Sequence, residues 1–381
     1  MKKENGRQPL AQASNEDADA RPALFVPVGE NPVHLFGQHA ATRAYRLAAA
    51  AGMDPGRADR LSDEGGRSVV LADMDFVWDP AWLPILLEQR GRVLVANERI
   101  VLAHCTRPAE REAVMTAMAQ DRLVPDLGMD ILTPADHPRR FVMPLEEEER
   151  IAAGKAAFVA GCDPVTDVVT NLLRAGPAFH LARWSAIAGI GPAGMTLIGL
   201  ALAALAALFF WEGWFGAGLL FGVLSGIAAT AGRGLVRVIG RPAPWRALHG
   251  MLSGLLVPAL WWIGWAHGLA DGTFEPVYLS GLVLVTAGGQ VADSAARLWF
   301  RTRFGFPLRR WRPIDGTVRL VAAGRNVGLL ILAAGWLVGL PAHAFESLAL
   351  WTLVSLIVTA VRLTQAEGRS LRGQKLESWI R

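Results

Sequence analysis

The uncharged stretch SAIAGIGPAGMTLIGLALAALAALFFW, residues 185–211, decides the fold class of this chain. It exceeds the roughly 20 apolar residues with which a helix covers a hydrocarbon core. Similar stretches recur after it, whereas up to Arg183 charged residues appear every few positions. The pattern predicts a soluble N-terminal half and a C-terminal half with six transmembrane helices. The predicted spans are Ser185–Trp211, Trp214–Ala231, Leu248–Trp265, Val277–Ala295, Val327–Leu340 and Ser347–Val361.

The charges between these spans predict their orientation. Arginines precede the first span and fill the second connection, the fourth connection and the C-terminal tail. The alternate connections carry Glu212, Asp271, Glu275 and Glu346, with no Lys or Arg. By the positive-inside rule both termini are expected in the cytoplasm of a bacterial-type inner membrane. The net charge of +4 does not indicate nucleic acid as a partner, because the cations lie in these short loops rather than on one soluble face.

The N-terminal half reads as an α/β domain. Short apolar runs such as SVVLADM (68–74) and RVLVAN (92–97) alternate with helix-like stretches between residues 23 and 144, a pattern typical of an α/β sheet. Cys105 and Cys162 lie far apart without a CxxC spacing, so neither a zinc site nor a disulfide framework is predicted. The predicted regions are a disordered tail (1–22), the α/β domain (23–150), a linker with a juxtamembrane helix (151–184), the six-span domain (185–365) and a basic tail (366–381).

Small and acidic residues within the spans carry further predictions. Gly218, Gly222 and Gly226 recur every four residues, which places them on one helix face and predicts tight packing there. Asp293, near the cytoplasmic end of the fourth span, is a candidate functional acid because ionisable residues inside a membrane are costly. The preferred alternative is that it pairs with Arg297 one helical turn on, or extends to the interface.

The segment SGIAATAGRGLVRVIGRPAPWRALHGMLSG (225–254), which ends the second span and opens the third, resembles the signature of the CDP-alcohol phosphatidyltransferase family. That signature reads DxxDGxxAR, eight residues, GxxxDxxxD, and the likeness covers most of residues 155–365. In the family the four aspartates hold divalent metal ions beside the CDP diphosphate. Here those positions are occupied by Ala229, Gly232, Gly250 and Gly254, while Arg237 matches the arginine.

The missing carboxylates decide between two functions that the resemblance implies. Ala and Gly side chains offer no oxygen ligands, so no metal cofactor is expected and the chain is interpreted as a noncatalytic relative in phospholipid headgroup biosynthesis. It would bind membrane lipids, an anionic headgroup or a CDP-lipid, and form a homodimer. The alternative is an active transferase that moves a phosphoalcohol group from a CDP-activated donor, releases CMP and needs Mg²⁺ or Mn²⁺. Whether the chain is an enzyme stays open between these two.

Four arginines of the second connection are the candidate anion-binding residues. With the aspartates gone, their charge has no local counterpart, so a phosphate or an anionic lipid headgroup is the natural partner. The alternative is that they serve only the positive-inside rule. These residues are Arg233, Arg237, Arg241 and Arg246.

Two N-terminal stretches, PVGENPVHLFGQHAATRAYRLAAAAGMD (27–54) and LADMDFVWDPAWLPIL (71–86), resemble sugar-phosphate nucleotidyltransferases, which have a Rossmann-like fold. Such domains occur fused to CDP-alcohol phosphatidyltransferases in inositol-phosphate lipid synthesis. Asp75 matches a metal-binding aspartate of that family, with Asp73 as the neighbouring choice, and the alternative is that these acids cap a turn. The loop VGENPV (28–33) has one glycine and no cation, so it is poorly suited to hold a triphosphate.

Overall fold

The computed structural model describes residues 21–58, 66–88, 91–120, 128–163, 165–240, 250, 252–270 and 274–379. Its contacts define two compact units. The first contains the residues up to Gly161 together with Val236–Pro242, and the second contains Cys162–Leu235 and the residues from Ala243 onward. The division at Gly161 falls inside the predicted linker. Most of the predicted tail, and the predicted site residues Arg241 and Arg246, lie outside the described residues.

The first unit is a mixture of strands and helices. Its strands are β1 (Leu24–Val28), β2 (His34–Leu35), β3 (Gln38–His39), β4 (Asp54–Pro55), β5 (Val69–Asp73), β6 (Phe76–Trp78), β7 (Arg92–Ala96), β8 (Arg99–Cys105), β9 (Asp130–Leu132) and β10 (Val142–Pro144). Its helices are α1 (Ala40–Ala50), α2 (Trp82–Glu88), α3 (Pro108–Ala119) and α4 (Arg150–Gly161). The α/β class predicted from the sequence is therefore present.

Six strands form one sheet in the order β4-β1-β5-β8-β7-β9. β1 pairs in parallel with β4 and β5, and β7 with β9, whereas β8 runs antiparallel to both β5 and β7. Five of the six strands thus run in one direction and β8 runs against them, so the sheet is mixed, and the Rossmann-like topology stays a prediction. The central strand β5 shows why the sheet forms here, because all five of its residues, VVLAD, are buried, as expected of a strand covered on both faces.

The second unit is helical. Its helices are α5 (Val168–Arg174), α6 (Pro177–Ile187), α7 (Pro192–Trp211), α8 (Phe215–Ile239), α9 (Val257–Gly268), α10 (Pro276–Val283), α11 (Gly289–Phe304), α12 (Pro313–Val321), α13 (Arg325–Leu337) and α14 (Pro341–Leu371). π-helical segments precede α9 (Leu252–Leu256) and join α10 to α11 (Leu284–Gly288). Several helices begin with Pro, a position where its missing N–H interrupts no helical hydrogen bond.

Within the described residues, three helices are long and apolar enough to cross a membrane. These are α7, α8 and α14, with 20, 25 and 31 residues and mean hydropathies of 2.2, 1.6 and 1.8 in their most apolar windows. The pair α12 and α13, which meet at a bend of 44°, counts as a fourth if together they form one broken span. The six-span count therefore stays a prediction.

The first candidate span is shorter than predicted. It begins at Pro192 rather than at Ser185 because α6 ends just before it. Gly189 adopts a left-handed φ of 75°, and the Ile190 N–H donates to the Ser185 carbonyl at 2.7 Å. This is the hydrogen-bond pattern with which a glycine commonly terminates a helix, so residues 185–187 belong to a separate helix.

The glycine face of α8 packs tightly, as predicted. Side chains from other helices lie next to the three glycines, where a residue with a larger side chain would need room. A Cβ built at Gly218, Gly222 or Gly226 would lie against Phe210, Leu329 and Asn326, respectively.

The bend between α12 and α13 is supported by hydrogen bonds from α14. The Trp351 indole N–H donates to the Val321 carbonyl at 2.8 Å, and the backbone N–H of Ala323 donates to Ser355 Oγ at 2.9 Å. Because a helix break removes intrahelical partners from the backbone, groups from a neighbouring helix must replace them in an apolar environment. α14 supplies two such groups.

Candidate functional site

Asp167 organises a polar cluster in the second unit. As the N-cap of α5, it accepts the backbone N–H of Thr170 on Oδ1 and the Thr170 hydroxyl on Oδ2, both at 2.9 Å. Asn326, the second residue of α13, donates through Nδ2 to both carboxylate oxygens at 3.2 and 3.3 Å. The carboxylate is buried, and neutral donors occupy both of its oxygens.

Three arginines come together around this carboxylate. Arg233 lies near the end of α8, Arg319 lies on α12, and Arg325 is the first residue of α13. All three interact electrostatically with Asp167, and Arg325 is repelled by Arg233. We refer to Arg233, Arg319 and Arg325, with Asp167 and Asn326, as the arginine cluster.

The hydrogen bonds of these arginines go to neutral groups. Arg325 Nε donates to Asn326 Oδ1 at 3.2 Å, and Arg233 Nη2 donates to Thr230 Oγ1 at 3.1 Å. Within the described part of the chain, none of the three guanidinium groups lies at ion-pair distance from a carboxylate. Since each guanidinium carries five N–H donors, most of their capacity is unused by described residues.

Several other arginines of the second unit are paired with carboxylates. Arg362 makes a bidentate contact with the carboxylate of Asp315, at 2.5 and 2.9 Å. The cluster therefore differs from these paired arginines in having cations without directly bonded anions. The paired arginines are Arg297 with Asp293, Arg303 with Glu367, Arg309 and Arg310 with Asp163, and Arg362 with Asp315.

The charge balance of the arginine cluster is positive at neutral pH. Burial raises the pKa of Asp167, but the hydrogen bonds from Thr170 and Asn326 and the charge of Arg319 outweigh burial, so this pKa lies below its ordinary value of 3.8. The carboxylate is consequently ionised, and arginine stays protonated in proteins. Three positive charges thus face one negative charge.

The cluster is open to ligands. Arg233 is exposed, and Arg319 and Arg325 are half-buried, whereas Asp167 beneath them is buried. Asp163, nearby in sequence, is engaged separately: burial raises its pKa, but Arg309 and Arg310 more than offset this effect and lower the pKa below its ordinary value. An incoming anion would therefore meet free guanidinium N–H groups rather than competing carboxylate oxygens.

The four positions that the resemblance aligns with the family's aspartates lie in two different surroundings. Ala229 is buried, and a Cβ on Gly232 would lie 3.3 Å from the Cβ of Met195, so these positions pack against α7. A Cβ on Gly250 or on Gly254 would meet no atom within 4 Å. The former pair makes a helix contact, whereas the latter pair faces open space.

Of the four predicted arginines, Arg233 lies in the cluster. Arg237 is exposed and belongs by its contacts to the first unit. There, burial raises the pKa of Asp79, and Arg237 is among the cations that oppose this rise. Arg241 and Arg246 lie outside the described residues.

Asp293 is a paired structural acid. It is buried, forms an ion pair with Arg297 one helical turn away, and accepts the Thr359 hydroxyl on Oδ1 at 2.7 Å. This confirms the alternative preferred from the sequence, in which the acid is neutralised within its own helix. Its oxygens are engaged, so it is not a free acid.

In the first unit, Asp73 and Asp75 both contact Arg99. Arg99 Nη2 lies 3.2 Å from a carboxylate oxygen of Asp73 and 3.2 Å from one of Asp75. Asp73 Oδ1 accepts the backbone N–H of Asp75 at 2.9 Å, and Asn31 Nδ2 donates to Asp75 at 3.1 Å. Asp73 thus caps a turn, the alternative stated for these acids, while the Asp75 carboxylate contacts the side chains of Arg99 and Asn31. Among the described residues, no group of three or more His, Cys, Asp and Glu side chains is placed to hold a metal ion.

Sequence reasoning did not identify Asp167 or Arg319 as site residues. A usable signal was present, because the segment Asp167–Thr170 has an N-cap carboxylate three residues before a hydroxyl and begins a short helix, a spacing typical of helix starts. No local pattern, however, connects it to Asn326.

Neither a scan against protein-family models nor a search of curated proteins finds a match to this chain.

Proposed function

We propose that this chain is a multi-pass membrane protein of phospholipid headgroup metabolism that binds the phosphate group of an anionic lipid in its arginine cluster, without transferring that group. The observation that carries the proposal is the imbalance at the cluster. Among the described residues, Arg233, Arg319 and Arg325 have no carboxylate at ion-pair distance, and the oxygens of Asp167 are already occupied.

The energetic argument concerns the uncompensated charge. A partly buried cation without a bonded anion loses hydration that protein groups do not replace, at a cost of up to several kcal/mol. Arg325 is in addition repelled by Arg233. A bound anion offsets both costs.

Phosphate suits this geometry better than a smaller anion does. Guanidinium groups present N–H donors in a planar fork that matches phosphate oxygens, and the three arginines come from three different helices. Arg325 also begins α13, where the helix dipole favours negative charge. Arg233 lies near the end of the candidate span α8, at a level where anionic headgroups would be available.

Binding without transfer is supported by the residues at the former aspartate positions. Ala229, Gly232, Gly250 and Gly254 have no side-chain oxygens with which to hold a metal ion. Transfer from a CDP-activated donor builds negative charge that the family offsets with divalent metals. An arginine cluster alone suits recognition.

The test of binding is native mass spectrometry of the purified full chain in detergent micelles, titrated with phosphatidylglycerol, phosphatidic acid or zwitterionic phosphatidylcholine. Both anionic lipids should bind more tightly than phosphatidylcholine, and Arg325→Gln should remove the difference. Arg301→Gln, at an exposed arginine of α11 outside the cluster, is the matched control. Inorganic phosphate should compete if the phosphate group itself is recognised.

Equal binding of all three lipids, or equal effects of Arg325→Gln and Arg301→Gln, would contradict the proposal. A separate assay addresses transfer, with CDP-diacylglycerol and a panel of alcohols, with and without Mg²⁺ or Mn²⁺. We expect no CMP release. Metal-dependent release at ordinary enzymatic rates would favour the active transferase instead.

The proposal includes six spans, cytoplasmic termini and a homodimer in the inner membrane. The charge alternation of the connections supports this orientation. Single cysteines introduced at Asp271 and at Ser370 should react with impermeant reagents from opposite sides of the membrane. Reaction of both from the same side would exclude the six-span arrangement while leaving the lipid-binding test unaffected.

A further inference from the structure

The short hairpin of β2 and β3 brings two histidines face to face. His34 and His39 are directly paired across the two strands. Phe36 and Gly37 form the intervening turn with left-handed φ values of 50° and 68°, as expected of a two-residue hairpin loop. The pair bordering such a loop is hydrogen-bonded, so the histidines form the next pair outward, in which opposing side chains approach most closely.

The two imidazoles are arranged side by side, and both are exposed. Their Nε2 atoms lie 3.2 Å apart and their ring centroids 3.9 Å apart. His34 Nδ1 lies 2.8 Å from the carbonyl oxygen of Pro32. Because a carbonyl only accepts, Nδ1 carries the proton, and in the neutral ring the lone pair is then on Nε2. A backbone carbonyl that fixes the tautomer in this way is the usual companion of a metal-ligating histidine.

The separation of the nitrogens fits a shared metal ion. Two Zn–N bonds of about 2.0–2.1 Å at a tetrahedral angle place their nitrogens roughly 3.3–3.4 Å apart, close to the 3.2 Å between these Nε2 atoms. The hairpin is also anchored, since Leu35 and Phe36 are buried and the Phe36 ring stacks on Phe158. An anchored pair loses little conformational freedom on binding.

We propose that His34 and His39 together bind one divalent transition-metal ion of the zinc and copper class through their Nε2 atoms. Imidazole nitrogens suit these ions. No group of three or more potential ligands exists among the described residues, so two protein ligands hold the ion and water completes its coordination. This site is independent of the arginine cluster and of the function proposed for it.

The test uses the full chain, purified with an affinity tag that contains no histidine, and titrates Zn²⁺ and Cu²⁺ in competition with a chromophoric chelator. His34→Ala and His39→Ala should each weaken binding at least about tenfold, the scale of losses at metal sites. His180→Ala, which removes an exposed histidine of α6, should leave the affinity unchanged. Circular dichroism confirms that each variant is folded.

Two results would overturn the proposal. One is that the wild-type protein binds Zn²⁺ and Cu²⁺ no more tightly than the double variant His34→Ala, His39→Ala does. In that case the two histidines form only a hydrogen bond between their rings. The other is an equal loss in His180→Ala, which would place the bound ion elsewhere.

Discussion

Replacing Arg233 by Gln should have opposite effects on ligand binding and on the stability of the ligand-free protein. Without ligand, the repulsion of Arg233 by Arg325 opposes its attraction to Asp167, and Arg233 has no carboxylate at ion-pair distance among the described residues. Its replacement should therefore leave the free energy of unfolding unchanged within about 0.5 kcal/mol, or raise it. With an anionic lipid bound, the same change removes a charge-assisted contact to the phosphate.

The size of the binding effect follows from that single contact. A hydrogen bond to a charged group contributes about 1.5–3 kcal/mol, so the lipid should bind roughly ten- to a hundredfold more weakly. At a lipid concentration of about a hundred times Kd, binding stabilises the wild-type protein by about 2.7 kcal/mol. A tenfold loss of affinity reduces this stabilisation to about 1.4 kcal/mol.

Thermal unfolding in detergent, with and without phosphatidylglycerol, measures both quantities on one sample. Arg301→Gln is the control and should match the wild type in both conditions. The Arg237→Ala variant distinguishes the arginine cluster from the site predicted from the sequence, which included Arg237. Because Arg237 belongs to the first unit, its replacement should change the lipid-induced shift in melting temperature less than Arg233→Gln does. If Arg233→Gln lowers ligand-free stability by more than about 1 kcal/mol and keeps the full lipid-induced shift, the residue is structural and the reasoning fails.

Three further changes test the packing and electrostatics of the second unit. The Asp293→Ala variant leaves Arg297 without its carboxylate and should lower the free energy of unfolding by about 2–3 kcal/mol. Replacing both residues by apolar ones should lower the free energy of unfolding less. Thermal unfolding in which the double variant is the less stable of the two would contradict this. The Gly218→Ala variant places a methyl group against an aromatic ring of α7 and should lower the free energy of unfolding by about 1–3 kcal/mol. The Gly281→Ala variant, in which the added Cβ meets no atom within 4 Å, should not be destabilised. Equal melting temperatures of the two variants would contradict the tight packing at Gly218. The pKa of Asp167 is lowered in the folded state. Its contribution to stability is therefore fully present above its unfolded pKa of about 3.9 and is lost as the pH falls through the folded pKa. The Asp167→Asn variant should thus lose less stability below about pH 4 than the wild type does, and an unchanged pH profile of stability would exclude this role.

Features of the second unit that depend on neighbours in sequence were predictable. The pairing of Asp293 with Arg297 follows from their four-residue spacing, since such residues face each other on a helix. The packing of the glycine face on α8 follows from the same geometry. In each case the partner or face is fixed by the period of the helix, so knowledge of the fold adds little.

The arginine cluster was only partly predictable, because it depends on tertiary packing. Its members Asp167, Arg233 and Asn326 are widely separated in the chain, and no periodicity connects them. The prediction that arginines would lack local counter-charge applies to Arg233. Arg237, one turn further along the same helix, instead belongs to the first unit, a division that the helical period alone does not reveal.

The supports that α14 provides at the bend have a consequence for biosynthesis. α12 and α13 leave the ribosome before Trp351 and Ser355, which bond the Val321 carbonyl and the Ala323 N–H. Until those residues arrive, the two backbone groups lack the partners that they have in the folded chain, and water must serve instead, since buried unpaired backbone groups are costly. The bend is therefore completed late, after translation of α14, and a nascent chain stalled before Pro341 would lack both hydrogen bonds.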